Sequence, residues 1–98
     1  MIMKYRVKLR EEYWYILKRD CLKKNITLYQ MFEEISKKYF DEFKGKTLQP
    51  IKSFKSPKYV YLTDEFKEKF ALYALDKNLS SIALADHIME TYIRDRKE

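Results

Sequence analysis

The sequence predicts a mainly α-helical single domain of order β-α-α-linker-β-α-α, in which two short strands pair into one ribbon. Three observations carry that prediction. Displaced by 53 positions, the chain lies over itself without a gap from Tyr5 to Phe40: Val7 falls on Val60, Leu9 on Leu62, Glu12 on Glu65, Ile35 on Ile88 and Tyr39 on Tyr92. A repeat at fixed offset governs any fold assignment, because each copy must adopt the same supersecondary unit. Each copy opens on residues that alternate apolar and polar, the period-two signature of a strand, and then changes to helical spacing. Finally, one Gly and two Pro in 98 residues leave few breaks, so most of the chain is expected to be regular structure.

The composition narrows the function classes. At 46% hydrophobic and 37% charged, the chain is too apolar and too patterned for a disordered segment. Its formal charge of +6 is unevenly spread: residues 1–49 hold 12 basic and 7 acidic side chains, residues 50–98 hold 9 and 8. A basic half beside a near-neutral one suggests a surface that faces a polyanion. Cys21 is the single cysteine, so no intramolecular disulfide can form and a reducing compartment is expected. That compartment is the cytoplasm, with the nucleoid or, for a viral protein, the host cytoplasm as its particular forms. No apolar run approaches the ~20 residues a membrane span requires, and no membrane partner is expected.

Taken in order, Tyr5, Val7 and Leu9 face one way from the first strand, and Arg6, Lys8 and Arg10 the other. From Glu11 to Lys24 the period becomes helical. Tyr13, Leu17, Cys21 and Leu22 form one stripe, matched by Phe66, Phe70, Ala74 and Leu75 in the second copy. Glu11-Glu12 and Asp64-Glu65 put acid in each first turn, where the helix dipole favours it. Asn25 and Asn78 stand where each helix should end, since Asn tolerates the left-handed conformation that closes helices. Thr27 and Ser80 read as N-caps of a second helix, which carries Met31, Ile35 and Tyr39 in one copy and Leu84, Ile88 and Tyr92 in the other. The copies span residues 4–43 and 58–94. Residues 44–57 between them hold Gly45, Pro50 and Pro57. They form a linker that could reach ~45 Å if extended, with Leu48, Ile51 and Phe54 to lay it along the domain.

Strand, helix, a break at Asn25, a Thr cap and a second helix, present twice, resemble the ribbon-helix-helix superfamily of DNA-binding proteins. The family more often has Gly where Asn25 and Asn78 stand. The resemblance implies a tandem ribbon-helix-helix fold, a single-chain pseudodimer whose two strands pair antiparallel into a ribbon that enters the major groove. It also implies that backbone N–H groups at the start of each second helix clamp phosphate, through Thr27 and Leu28 in one copy and Ser80 and Ser81 in the other. The groove, about 12 Å wide, admits a β-ribbon. Arg6 and Lys8, with Tyr59 and Tyr61 on the second strand, are then the expected base contacts. Lys4, Arg10, Lys58 and Thr63 are the flanking ones.

The expected function is therefore a sequence-specific double-stranded DNA-binding transcriptional regulator, repressor or activator, with self-association along DNA as a further partner. Two alternatives stand beside it. One is an architectural or DNA-processing accessory protein with low sequence preference. The other is a protein-interaction module using the face of Trp14, Tyr15 and Ile16, whose counterparts are Lys67, Glu68 and Lys69. Either the linker or another copy should cover that extra apolar face. Similarly, Tyr59 and Tyr61 should meet either DNA or Phe54 of the linker. One His, one Cys and no Gly-rich or nucleophile motif lead us to expect no enzyme, no catalytic residue, no metal, no cofactor and no small-molecule substrate.

Overall fold

A computed structural model describes residues 5–96. It is mainly helical, with four helices and one two-stranded antiparallel sheet. Strand β1 (Tyr5–Lys8) is followed by α1 (Glu11–Lys24) and α2 (Leu28–Glu42); β2 (Tyr59–Leu62) is followed by α3 (Asp64–Asp76) and α4 (Ser81–Arg96). The strands pair Tyr5 with Leu62, Arg6 with Tyr61, Val7 with Val60 and Lys8 with Tyr59. Val7 and Val60, each 2% exposed or less, face each other at the centre of the inward side. Burying a valine contributes about 1.5–3 kcal/mol, which a ribbon of four-residue strands needs, since two strands alone are marginal in water.

Both strands are shorter than the alternation extends. Leu9 is still buried, and its N–H donates to the Lys58 carbonyl at 3.1 Å. Arg10 and Thr63 then occupy the N-cap positions of α1 and α3. The helices pack across the linker: α2 lies against β2, α4 against β1, and α2 and α4 against each other. Phe32, Phe70, Leu84 and Ile88, each fully buried, share one core with Val7, Val60 and Leu62 of the ribbon. Phe40 of α2 stacks on Tyr73 of α3 with ring centroids 4.1 Å apart.

The helix ends behave as the Asn positions suggest. Asn25 and Asn78 have φ of 59° and 58°, and both close a double-bonded C-terminal motif. Ile26 and Leu79 donate to the carbonyls of Cys21 and Ala74, while the two Asn N–H groups donate to Leu22 and Leu75. The expected stripe needs correction at its last position, because Leu22 and Leu75 are 65% and 74% exposed. One residue beyond Cys21 or Ala74 is a turn of about 100° around the helix, which carries both leucines off the buried face.

The linker does lie along the body. Leu48 packs against the core. His87 Nε2 donates to the Gln49 carbonyl at 2.6 Å, and the Ser56 hydroxyl donates to the Leu9 carbonyl at 2.6 Å. At its start, Lys77 Nζ donates to the carbonyls of Phe43 at 2.5 Å and Lys46 at 2.6 Å, which closes the C-terminal end of α2. Coverage of Trp14 comes from the chain's return into β2. The indole N–H donates to the Tyr59 carbonyl at 3.0 Å, and the Lys58 ammonium sits 4.4 Å from the Trp14 ring centroid and 5.2 Å from that of Tyr15. Phe54 instead turns to the Arg10 side of β1.

Candidate nucleic-acid interface

A strand buried on one face must present its alternate residues on the other. With Val7, Val60 and Leu62 buried, the ribbon's outer face consists of Arg6, Lys8, Tyr59 and Tyr61, and the register sets Arg6 opposite Tyr61 and Lys8 opposite Tyr59. Each cation therefore faces an aromatic across the ribbon, and no like charges stand directly opposite. Arg6 and Tyr61 are exposed, while Lys8 and Tyr59 are half-buried.

Diagonal contacts hold this face in place. The Arg6 guanidinium lies 4.1 Å from the Tyr59 ring centroid, a cation–π contact worth about 0.5–1 kcal/mol at an exposed site. It orients the guanidinium without using up its donors. Tyr59 is thus covered by Arg6, and Phe54 is engaged elsewhere. Lys8 Nζ donates to the Phe54 carbonyl at 3.4 Å, so the linker borders the ribbon at its Lys8 end.

The flanking residues divide. Lys4 lies outside the described residues. Lys58 is drawn onto Trp14 and Tyr15. Arg10 donates from Nε to Asp86 at 2.7 Å and stacks over Phe54 with its guanidinium 4.5 Å from the ring centroid. That hydrogen bond is the main cause of the raised Arg10 pKa, and the neighbouring carboxylate charge adds to it. Thr63 accepts from the Phe66 N–H at 3.2 Å as the cap of α3. Arg10 and Thr63 are therefore engaged within the fold, a distinction that depends on contacts distant in sequence.

The N-termini of α2 and α4 flank the ribbon with different surroundings. Thr27 forms a full capping box: its hydroxyl accepts from the Gln30 N–H at 3.2 Å, and its own N–H donates to the Gln30 side chain at 2.9 Å. The Ser80 hydroxyl accepts from the Ala83 N–H at 3.1 Å. Both hydroxyls thus serve the helix itself, and in each first turn the backbone groups of Leu28 and Ser81 are those that helical geometry leaves pointing outward. A depression beside α2 is lined by Glu33, Glu34 and Glu65, a poor setting for an anion. At α4 the Ser81 and Tyr5 hydroxyls lie 3.2 Å apart, which ties that terminus to the start of β1.

Two signals here were absent from the sequence pattern: the Arg10–Asp86 pair and the Lys8–Phe54 contact. They join residues 76 and 46 positions apart, and no local spacing announces them. Among the described residues, no helix is long and apolar enough to cross a membrane, and no three His, Cys, Asp or Glu side chains group as a metal site. Comparison with protein-family models, curated proteins and solved structures finds no match to the chain.

Proposed function

We propose that this protein is a tandem ribbon-helix-helix pseudodimer that binds double-stranded DNA by inserting its ribbon in the major groove, and that it acts as a transcriptional regulator. The observation that carries the reading is the outer face of the ribbon. Two cations and two tyrosines stand there on a two-stranded ribbon, of a size the groove admits. The repeat supports the pseudodimer: Val7 and Val60 are equivalent under the 53-residue displacement and are also the pair that faces across the ribbon. In this reading the pair marks a pseudo-two-fold relation between the two copies, as pairing of two protomers would.

In this reading Arg6 donates to guanine O6 and N7, Lys8 reaches the same kind of acceptor, and Tyr59 and Tyr61 offer rings to thymine methyls and hydroxyls to phosphate. Because the two strands differ, the bound site need not be a palindrome. The test is selection of a duplex from a random pool, followed by affinity measurement on every single-base variant. Arg6→Ala and Lys8→Ala should each flatten the profile at one or two base pairs, by roughly tenfold to a hundredfold. A profile unchanged in both variants would sink the ribbon readout. A wild-type profile flat from the start, with steep salt dependence, would favour an architectural role.

A further inference from the structure

We infer that the linker segment Lys52–Lys55 is a second DNA-contacting element, which lays its two lysines on duplex phosphates along one flank of the ribbon only. The inference rests on the DNA-binding reading of the ribbon and extends it to a part of the chain that lies between the two copies. From Lys44 to Thr63 the sequence holds five lysines and no acidic residue. One of the five, Lys58, is drawn onto Trp14 and Tyr15. Lys52 and Lys55 are exposed.

Their position is fixed by the residue between them. Phe54 is held three ways: its carbonyl accepts from Lys8 Nζ, its ring lies under the Arg10 guanidinium, and Ser56 two residues on is bonded to the Leu9 carbonyl. Arg10 is itself anchored on Asp86, a carboxylate only 3% exposed. The segment is therefore docked against the ribbon at its Lys8 end. Lys55 follows Phe54 directly, and Lys52 precedes it by two residues, a separation of at most ~7 Å of chain.

Chain connectivity thus tethers Lys52 and Lys55 near the end of the ribbon that holds Lys8 and Arg10, where Asp86 pairs with Arg10 and Glu12 acts on it at longer range. Such a cluster is self-repelling in isolation and is relieved by a polyanion. A lysine ammonium engages phosphate as a point charge without reading sequence. The other flank differs. There the repeat sets Thr63 in the place of Arg10, and around Thr63 the described residues are mixed in charge: Glu33, Glu34 and Glu65 beside Lys37 and Lys69, with Lys37 paired to Glu33. Among the described residues one flank is thus basic and the other is not, so the footprint should extend further on the Lys8 side.

The experiment uses the full chain on its selected duplex, with hydroxyl-radical footprinting and affinity measured as a function of salt. Wild type should protect backbone beyond the ribbon's base pairs on one side. Lys52→Ala/Lys55→Ala should lose that protection, keep the base-substitution profile, and lower the slope of log K against log salt by about 2, near one unit per phosphate released. Phe54→Ala should also lose the flanking protection while retaining both lysines. Lys23→Ala/Lys24→Ala, at the far end of α1, should leave the slope unchanged. If the Lys52/Lys55 variant keeps the wild-type slope and footprint while Arg6→Ala still alters the profile, the linker inference fails and the ribbon reading survives. An equal drop in slope for the Lys23/Lys24 control would reduce the effect to bulk charge and overturn the inference. Absence of duplex binding by wild type at low salt would overturn both.

Discussion

The Arg10–Asp86 pair joins the two halves of the chain and is not repeated at the equivalent positions. Their repeat equivalents are Thr63, a helix cap, and Glu33, which pairs with Lys37 at 3.0 Å. A carboxylate as enclosed as Asp86 would cost several kcal/mol if left unpaired, and Arg10 offsets that cost while its other face holds Phe54. Two tyrosines do comparable work at the opposite end of the fold. Tyr92 donates to Asp20 at 2.5 Å and Tyr39 donates to Asp95 at 2.8 Å. Burial first, and then each carboxylate partner, raises both phenol pKa values, that of Tyr39 to about 12. An unfolded tyrosine ionises near pH 10, so above that value the native chain holds protons the unfolded chain has lost. The stabilising contribution is thus intact below pH 10 and is lost as pH rises towards 12. Urea midpoints should stay level from pH 8 to 10 and then fall. Tyr39→Phe/Tyr92→Phe should cost about 1 kcal/mol per hydrogen bond at pH 8 and should show a shallower alkaline decline. An equally steep decline in the double variant would acquit these two phenols.

At the scale of the element, α2 and α4 are equivalent in sequence position but capped with different completeness. The reciprocal box at Thr27 satisfies two backbone groups, whereas Ser80 accepts from the Ala83 N–H. Thr27→Ala should destabilise the protein by about 1 kcal/mol and speed hydrogen exchange at Gln30 and Met31, with exchange in α4 changed only by the global loss. Unaltered exchange at Gln30 would mean that the box contributes nothing. The caps were legible in the sequence because Thr27, Asn25, Ser80 and Asn78 act on groups within a few residues of themselves. The ribbon's outer face was legible for the same reason, since period two is a local property. Leu22 and Leu75 misled because a stripe read from spacing alone has no sharp edge, and one step beyond Cys21 or Ala74 is enough to leave it. That the linker lies along the body was legible from Leu48, Ile51 and Phe54, but its particular contacts and the engagement of Arg10 were not, because the partners lie 38 to 76 positions apart and carry no spacing signal.

At the scale of the whole molecule, each half supplies what the other lacks: α2 packs under β2 and α4 under β1. Strand β1 also suits β2 better than it suits itself. Two copies of β1 paired about Val7 would set Arg6 directly against Lys8 on both sides, a like-charge opposition that destabilises a ribbon. Pairing β1 with β2 replaces both oppositions with a cation facing a tyrosine. The linker holds the preferred partners together at an effective concentration in the millimolar range for a short flexible connection, and its bonds to Leu9 and His87 shorten it further. Peptides covering residues 1–46 and 47–98 should therefore each show little helical circular dichroism at about 10 μM, and should recover most of the intact chain's signal when mixed one to one. The mixture's melting temperature should rise with concentration, while that of the intact chain should not. Half-chains that are fully helical, monomeric and concentration-independent by themselves would contradict the interlocked arrangement. Residues 1–46 that associated with themselves as strongly as with residues 47–98 would contradict the charge argument for the mixed ribbon.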